Sequence, residues 1–178
     1  MPHIHILTVS DRAHAGHAPD TAGPRALELV SECLPEWTAD GAIVPDGIES
    51  VSSGVLAARD RGADVVVTLG GTGSSPRDLT PEAMETLNCT ELPGIAEMLR
   101  REGAAQTPAA ALGRGRAGIV DRPVAGAASE GAPPAGRPTV VVNLPGSLRA
   151  ADQGLPLIAP LLGHLIEQLS GGGDHARH

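Results

Sequence analysis

The chain has 178 residues, of which 41% are hydrophobic, and a formal net charge of −8 at pH 7. The length suits one domain with a sizeable core, and the apolar content is too high for a disordered chain. The acidic balance and the single aromatic residue, Trp37, disfavour nucleic acid as a partner. No export signal and no apolar stretch of about 18 residues is visible, which predicts a cytoplasmic protein that does not span a membrane.

Lysine is absent, and all 13 basic residues are arginines. A Walker-type phosphate loop and a Schiff-base mechanism both need a lysine, so both are excluded. The two cysteines, Cys33 and Cys89, form neither a CxxC motif nor a disulfide framework. We expect both to be buried or half-buried thiols in a reducing compartment.

Predicted strands and helices alternate along the chain. This alternation implies βαβ units, and hence an α/β fold with a mostly parallel sheet covered on both faces. The continuous apolarity of residues 63–69 suits a strand buried on both faces. The predicted strands are residues 3–10, 37–44, 63–69, 114–120 and 139–143, and the predicted helices are residues 24–34, 48–61, 81–87, 93–102 and 148–169.

Three segments are predicted to lack regular structure. Residues 11–23 are polar and contain glycine and proline, and residues 123–138 are of low complexity, rich in alanine, glycine and proline. Residues 171–178 form a glycine-rich and histidine-rich end that we expect to be a disordered tail. A single domain over residues 1–170 remains.

The segment LGGTGSSPRDLTPE, residues 69–82, carries the strongest functional signal. A predicted buried strand ends in Gly70, Gly71, Thr72 and Gly73, whose backbone N–H groups could approach phosphate oxygens because glycine has no Cβ. The alternative is a tight strand-to-helix turn without a ligand. Arg77 supplies a phosphate-binding cation and Asp78 a carboxylate suited to Mg²⁺, which together indicate phosphoryl or nucleotidyl transfer.

The role of Asp78 in this segment has two competing interpretations. Asp78 could instead cap the following helix, since anions stabilise helix N-termini. Thr80, followed by proline, is the better cap by position, which leaves Asp78 for a metal ion.

The carboxyl ends of four predicted strands carry further candidates, and ligands of such folds bind beyond those ends. One shared cleft is the simplest prediction. Asp46 lies in the turn VPDG, where a structural role is the stronger alternative, and Asp11 and Asp20 are similar cases. His3 and His5 share a face of the first strand and are weak candidates for ligands.

This order of motifs resembles the molybdopterin adenylyltransferase family of molybdenum-cofactor biosynthesis, of the MogA/MoaB type. The resemblance covers about residues 5–170 and has a specific signature in GGTG followed by RD and TPEA. The matching segments are TVSDRAHAG, DTAGPRALELV, VPDG, VVVTLGGTGSSPRDLTPEA, LPGIAEMLR, AGIV and VVNLPGS.

The resemblance implies a three-layer α/β/α domain that assembles as a homotrimer, or as a hexamer in some members. It implies transfer of AMP from Mg-ATP to the phosphate of molybdopterin, after which an insertase partner adds molybdate. Aspartates at the positions of Asp46 and Asp78 are needed for the chemistry in the family, which implies that both are catalytic and bind Mg²⁺. The implied phosphate and nucleotide contacts are Ser10, Asp11, Gly70, Gly71, Thr72, Gly73, Pro145, Gly146 and Ser147.

The chain departs from the family pattern at three places. Leu112–Gly113–Arg114 stands where a Leu-Ser-Arg segment is usual, so a serine contact to the pterin would be lost. Ser147–Leu148 replaces the usual asparagine and proline, and residues 123–136 lengthen a loop. Two alternatives to the transferase stay open, namely a carrier that binds molybdopterin without turnover and a nucleotide hydrolase of the same fold.

Overall fold

The computed structural model describes residues 1–121 and 137–171, which form a six-stranded sheet with helices against it. The strands are β1 (His3–Val9), β2 (Thr38–Val44), β3 (Val65–Leu69), β4 (Cys89–Glu91), β5 (Ala117–Val120) and β6 (Thr139–Leu144). The helices are α1 (Asp11–His14), α2 (Ala22–Cys33), α3 (Ile48–Asp60), α4 (Thr80–Glu85), α5 (Pro93–Gln106), a 3₁₀ helix (Pro108–Leu112) and α6 (Leu148–Leu169).

The sheet has the strand order β2-β1-β3-β6-β5-β4 and is mixed. Strands β2, β1, β3 and β6 are parallel neighbours, whereas β5 runs antiparallel to both β6 and β4. The chain passes from β1 outward to β2 and then returns to the other side of β1 for β3. The carboxyl ends of β1 and β3 therefore flank a topological switch point, where ligands of such folds bind.

Helices cover both faces of the sheet, which confirms the predicted α/β architecture. Ile4, Ile6 and Val67 face a core shared with α2 and α6. Leu7 and Val66 point to the opposite face, into a core shared with α3 and α4. All of β3 is buried, as its continuous apolarity predicted.

Helix α6 spans the predicted residues and has one apolar face. Its buried residues Ala151, Leu155, Ile158 and Leu162 follow the spacing of four, three and four residues that places side chains on one side of a helix. The N-terminus of α6 begins directly after β6. The helix therefore starts at the same edge of the sheet as the glycine-rich loop.

Several boundaries differ from the sequence-based expectations. The predicted loop over residues 11–23 contains the short helix α1, and the strand expected from residue 114 begins at Ala117. Strand β4 has three residues, too few for a pattern to be recognised. Cys33 is exposed, so its predicted burial was wrong, whereas Cys89 is half-buried as predicted.

The low-complexity segment falls almost entirely outside the described residues, as does most of the expected tail. Among the helices of residues 1–121 and 137–171, none is both long and apolar enough to cross a membrane.

Candidate active site at the carboxyl ends of the strands

The glycine-rich loop begins where β3 ends, and its first two glycines are required by the fold itself. Gly70 has φ +121° and Gly71 has φ +62°, a region that other residues rarely adopt. A Cβ on Gly70 would lie 2.3 Å from the carbonyl oxygen of Val9. A Cβ on Gly71 would lie 2.3 Å from the hydroxyl of Thr80. The tight-turn interpretation therefore explains these two glycines without a ligand.

Gly73 has a different reason to be glycine. A Cβ there would lie 2.8 Å from Oδ2 of Asp78. The absence of a side chain at Gly73 thus leaves room for the Asp78 carboxylate beside the loop backbone.

Thr80 does not cap α4, so that prediction was wrong. It is the first residue of the helix, and its buried hydroxyl donates to the carbonyl oxygen of Gly70 at 2.9 Å. Leu79 occupies the capping position and makes no side-chain cap. Asp78 accepts a hydrogen bond from the backbone N–H of Ser75 at 2.8 Å. Its carboxylate therefore belongs to the loop, and the helix-cap alternative for Asp78 fails.

Asp11 and Asp46 hold the ends of β1 and β2 together by two reciprocal hydrogen bonds. The N–H of Asp11 donates to Oδ2 of Asp46 at 3.0 Å, and the N–H of Asp46 donates to Oδ1 of Asp11 at 3.1 Å. The guanidinium of Arg77 contacts the second oxygen of Asp11. Arg77 therefore connects the loop after β3 with the end of β1.

Asp46 and Asp78 lie close enough to influence each other. The pKa of Asp46 is raised, first by partial burial and then by the negative charge of Asp78, while a backbone hydrogen bond opposes both. Two carboxylates that repel each other in this way suit Mg²⁺, which binds one or two carboxylates together with phosphate oxygens. No group of three or more His, Cys, Asp or Glu within residues 1–121 and 137–171 is arranged to hold a metal ion. A metal ion held by Asp46 and Asp78 would therefore need further ligands from outside these described residues.

A cavity of about 860 Å³ opens beside the glycine-rich loop, within the usual range of roughly 300–1,000 Å³ for ligand sites. Residues from the ends of β3 and β6 form one side of it, and α5, the 3₁₀ helix and α6 form the other. The lining includes Gly70, Gly71, Thr72, Gly73, Asp78, Leu99, Arg100, Thr107, Leu112, Asn143, Pro145, Gly146, Ser147, Arg149 and Leu157.

The predicted site residues divide between this cavity and its surroundings. The glycine-rich loop, Asp78 and residues 145–147 line the cavity. Ser10, Asp11, Asp46 and Arg77 are not among its lining residues and lie at the adjoining ends of β1 and β2 or at the outer side of the loop. The prediction of one cleft shared by four strand ends was therefore wrong for β1 and β2, since, of these four ends, only those of β3 and β6 line the cavity.

Two serines begin helices at this edge of the sheet. The hydroxyl of Ser147 accepts from the N–H of Ala150 at 3.1 Å and caps α6. The hydroxyl of Ser10 accepts from the N–H of Ala13 at 3.3 Å and caps α1. Ser147, Arg149 and Ala150 at the start of α6 line the cavity, and the N-terminus of a helix carries a partial positive charge.

Two arginines of the cavity were missed by sequence reasoning. Arg149 donates to the hydroxyl of Thr107 at 3.0 Å, and Arg100 donates to the carbonyl oxygen of Gly115 at 3.0 Å. Both lie on helices whose sequence patterns indicate only an apolar face and a solvated face. The sequence offered one signal for them: the chain has only 13 basic residues, all arginine, so each is a candidate to bind an anion.

The remaining candidates have structural roles away from the cavity. Asp20 accepts from the hydroxyl of Thr8 at 2.8 Å and from the N–H of Gly23 at 2.9 Å. His3 and His5 both contact Asp40 of β2, at 3.0 and 2.5 Å. These histidines lie toward the amino end of β1, opposite the candidate site.

Comparison with known proteins assigns this fold and loop to one family. The family described as "Probable molybdopterin binding domain" matches residues 5–164. The molybdopterin adenylyltransferase of Helicobacter pylori is 31% identical over 173 residues, which cover 95% of this chain and 88% of that protein. A molybdopterin biosynthesis protein from Mycobacterium abscessus is 37% identical, with a TM-score of 0.78 over 96% of this chain and 97% of that one. The chain belongs to the molybdopterin-binding family of molybdenum-cofactor biosynthesis, as the resemblance predicted.

Some relatives are longer than this chain. The molybdenum cofactor biosynthesis bifunctional protein of Synechococcus elongatus is 35% identical over 96% of this chain, but the match spans only 48% of that protein. The chain therefore spans about half the length, or less, of the bifunctional and eukaryotic relatives that it matches.

Proposed function

We propose that the protein is a molybdopterin adenylyltransferase, which transfers AMP from Mg-ATP to the phosphate of molybdopterin. The observation that carries this proposal is the position of Asp78, on a glycine-rich loop and within the electrostatic range of Asp46, at the wall of a cavity of about 860 Å³. The adenylyltransferase relatives, which the chain matches over most of their length, support the same reaction.

The proposed reaction is a substitution at the α-phosphorus of ATP. An oxygen of the molybdopterin phosphate forms the new bond to this phosphorus, and the bond from phosphorus to the bridging oxygen of the β-phosphate breaks. The bridging oxygen leaves with the pyrophosphate. Because the nucleophile is already an anion, no side chain has to remove a proton from it. Catalysis then depends on positioning and charge neutralisation.

The chain offers groups for both tasks. Asp46 and Asp78 would hold Mg²⁺, which when bound neutralises the charge of the triphosphate and of the leaving pyrophosphate. The N–H groups of residues 70–73 and the N-terminus of α6 would bind phosphate oxygens. Arg77, although paired with Asp11 here, is exposed and can exchange that carboxylate for a phosphate.

The decisive experiment mixes the purified protein with Mg-ATP and molybdopterin and follows adenylyl-molybdopterin and pyrophosphate. We expect both products in equal amounts, and only when the pterin is present. Pterin binding without product would indicate the carrier, and ATP breakdown without pterin would indicate the hydrolase. Either result would refute the proposal.

Asp78→Asn is the matched variant for this assay. The amide oxygen can still accept from the N–H of Ser75, so the loop should keep its conformation. Loss of the negative charge removes one ligand from the proposed Mg²⁺ site, and we expect the transfer rate to fall by about two orders of magnitude or more, in the range for removal of a group that stabilises transition-state charge. Unchanged turnover with an unchanged melting temperature would remove Asp78 from the metal site.

We further propose that the protein assembles as a homotrimer or hexamer and passes its product to a molybdenum insertase. The bifunctional relatives, in which the matching part is joined to about as much further sequence, support a partner domain of this kind. Sedimentation analysis of the purified chain tests the assembly.

A further inference from the structure

Arg114 contacts the loop that carries Asp78 at several points. Its backbone N–H donates to the carbonyl oxygen of Thr72 at 2.9 Å. Its Nε donates to the carbonyl oxygen of Gly73 at 2.8 Å, and its Nη2 donates to the carbonyl oxygen of Asp78 itself. The remaining terminal nitrogen contacts the carboxylate of Glu82, in α4. One guanidinium thus links both ends of the loop to the helix that follows it.

The loop needs such support because residues 71–79 contain no helix or strand. Charge-assisted hydrogen bonds are stronger than neutral ones, and the planar guanidinium holds its acceptors in a fixed relative geometry. The contact with Glu82 is a charged pair, and the Arg114 hydrogen bond lowers the pKa of Glu82. The second oxygen of Glu82 is buried and has no hydrogen-bond partner within the described part of the chain. Arg114 is the largest contributor to the stabilisation of this carboxylate, and a backbone hydrogen bond and the charge of Arg116 add to it.

We propose that Arg114 is a positioning residue of the adenylyl transfer, which fixes the backbone of Asp78 so that its carboxylate meets the Mg-triphosphate in the productive geometry. This inference rests on the proposed function. Arg114 acts through Asp78 and does not itself contact the substrate. A misplacement of about 1 Å in a reacting group can reduce a rate about a hundredfold, so support of this kind affects turnover directly.

Arg116 provides a matched control two residues away. Its guanidinium also joins separate elements, since it contacts Glu85 of α4, Glu91 of β4 and, at 3.2 Å, the carbonyl oxygen of Pro81. None of these contacts falls on residues 71–79. Arg114→Gln and Arg116→Gln thus remove similar ionic contacts, but only the first releases the loop.

The test measures kcat and the KM for Mg-ATP of both variants, together with their melting temperatures. We expect Arg114→Gln to lower kcat by about ten- to a hundredfold while the KM for Mg-ATP changes by less than about threefold. Arg116→Gln should keep kcat within about twofold of wild type, whatever it does to the melting temperature. Equal kcat values for the two variants would overturn the inference.

Arg114→Lys separates positioning from folding in case the glutamine variant does not fold. The lysine keeps a positive charge opposite Glu82, which preserves most of the ionic contact. A single ammonium cannot bind two loop carbonyls and a carboxylate in the same fork geometry. We therefore expect a melting temperature near that of wild type with a kcat reduced by about tenfold or more, and a wild-type kcat in this variant would contradict the inference.

A double-mutant cycle with Asp78→Glu, measured in single turnovers, tests whether Arg114 acts through Asp78. If Arg114 only positions this residue, Arg114→Gln should cost much less in the Asp78→Glu background than in wild type. Additive effects would show that Arg114 acts elsewhere and would overturn the inference. A wild-type protein without adenylyl transfer would refute the proposed function, and this inference with it, whereas an active wild type with additive variants would refute the inference alone.

Discussion

Gly73→Ala is the smallest change that should move Asp78 without altering its charge. The new Cβ would lie 2.8 Å from Oδ2 of Asp78. Ordinary contact between these atoms needs about 3.4 Å, so the carboxylate oxygen must move by about 0.6 Å. An overlap of this size is enough to force a side chain out of its position. The atom that moves is the end of a side chain and not backbone, and Gly73 does not have a positive φ. The loop can therefore accept the alanine.

The stability cost should be limited to the hydrogen bond between Asp78 and the N–H of Ser75. A hydrogen bond to a charged group contributes about 1.5–3 kcal/mol, and an exposed one less, so we expect a loss of about 1 kcal/mol. The rate should suffer more. Since 1 Å of misplacement can cost about a hundredfold, a displacement of about 0.6 Å predicts a fall of roughly tenfold in the transfer rate.

The assay compares Gly73→Ala with Gly163→Ala. Gly163 lies within α6, and a Cβ there would meet nothing within 4 Å. Alanine in such a helical position stabilises by about 0.5–1 kcal/mol, and Gly163→Ala should transfer AMP at the wild-type rate. If Gly73→Ala kept the wild-type rate in single turnovers with saturating Mg-ATP, the exact position of the Asp78 carboxylate would not limit the reaction, and the reasoning would be refuted.

Two further variants test the charges by chemical denaturation at several pH values. Asp46→Asn should be as stable as wild type or slightly more stable at pH 7, because partial burial and the charge of Asp78 disfavour ionised Asp46 and raise its pKa. Ionised Asp46 destabilises wild type above the raised pKa, and this effect disappears as the pH falls through it. The free energies of unfolding of wild type and Asp46→Asn should therefore converge at low pH, and a difference that grows at low pH would contradict the raised pKa of Asp46. Asp40→Ala should lose about 1–3 kcal/mol at neutral pH, because it leaves buried His5 without its partner. Burial would raise the pKa of Asp40, but hydrogen bonds and charges from His5 and His3 outweigh it and lower the pKa. Wild type should therefore remain more stable than Asp40→Ala at every pH above 3.8, the ordinary pKa of an aspartate, and lose this advantage only below it. Equal stability of the two proteins already near pH 5 would refute this account.

Local patterns were sufficient for the α/β class of this chain and for its long elements, although not for β4 or α1. The continuous apolarity of β3 and the apolar spacing along α6 are properties of single segments, and both elements appear where those patterns placed them. The glycine-rich loop was equally visible, because Gly70 and Gly71 adopt backbone conformations that few other residues tolerate.

The roles of Thr80, Arg100 and Arg149 could not be predicted because they depend on contacts between distant parts of the chain. Thr80 looked like a helix cap because its neighbours in the sequence suggested one, but its hydroxyl is used by Gly70, ten residues earlier. Arg100 and Arg149 reach the cavity only because α5 and α6 pack beside each other. No periodicity within either helix contains that information.

The strand order explains why two aspartates from separate turns lie near each other. Asp46 follows β2 and Asp78 follows β3, and these strands lie on opposite sides of β1. Each aspartate therefore approaches the carboxyl end of β1 from its own side, Asp46 through its reciprocal hydrogen bonds with Asp11, and the Asp78 loop through Arg77, which contacts the same Asp11. The pKa of Asp46 is raised first by its partial burial and then by the negative charge of Asp78. The fold thus keeps two acidic side chains near the switch point of the sheet, and the Mg²⁺ that we propose for them would offset their mutual repulsion.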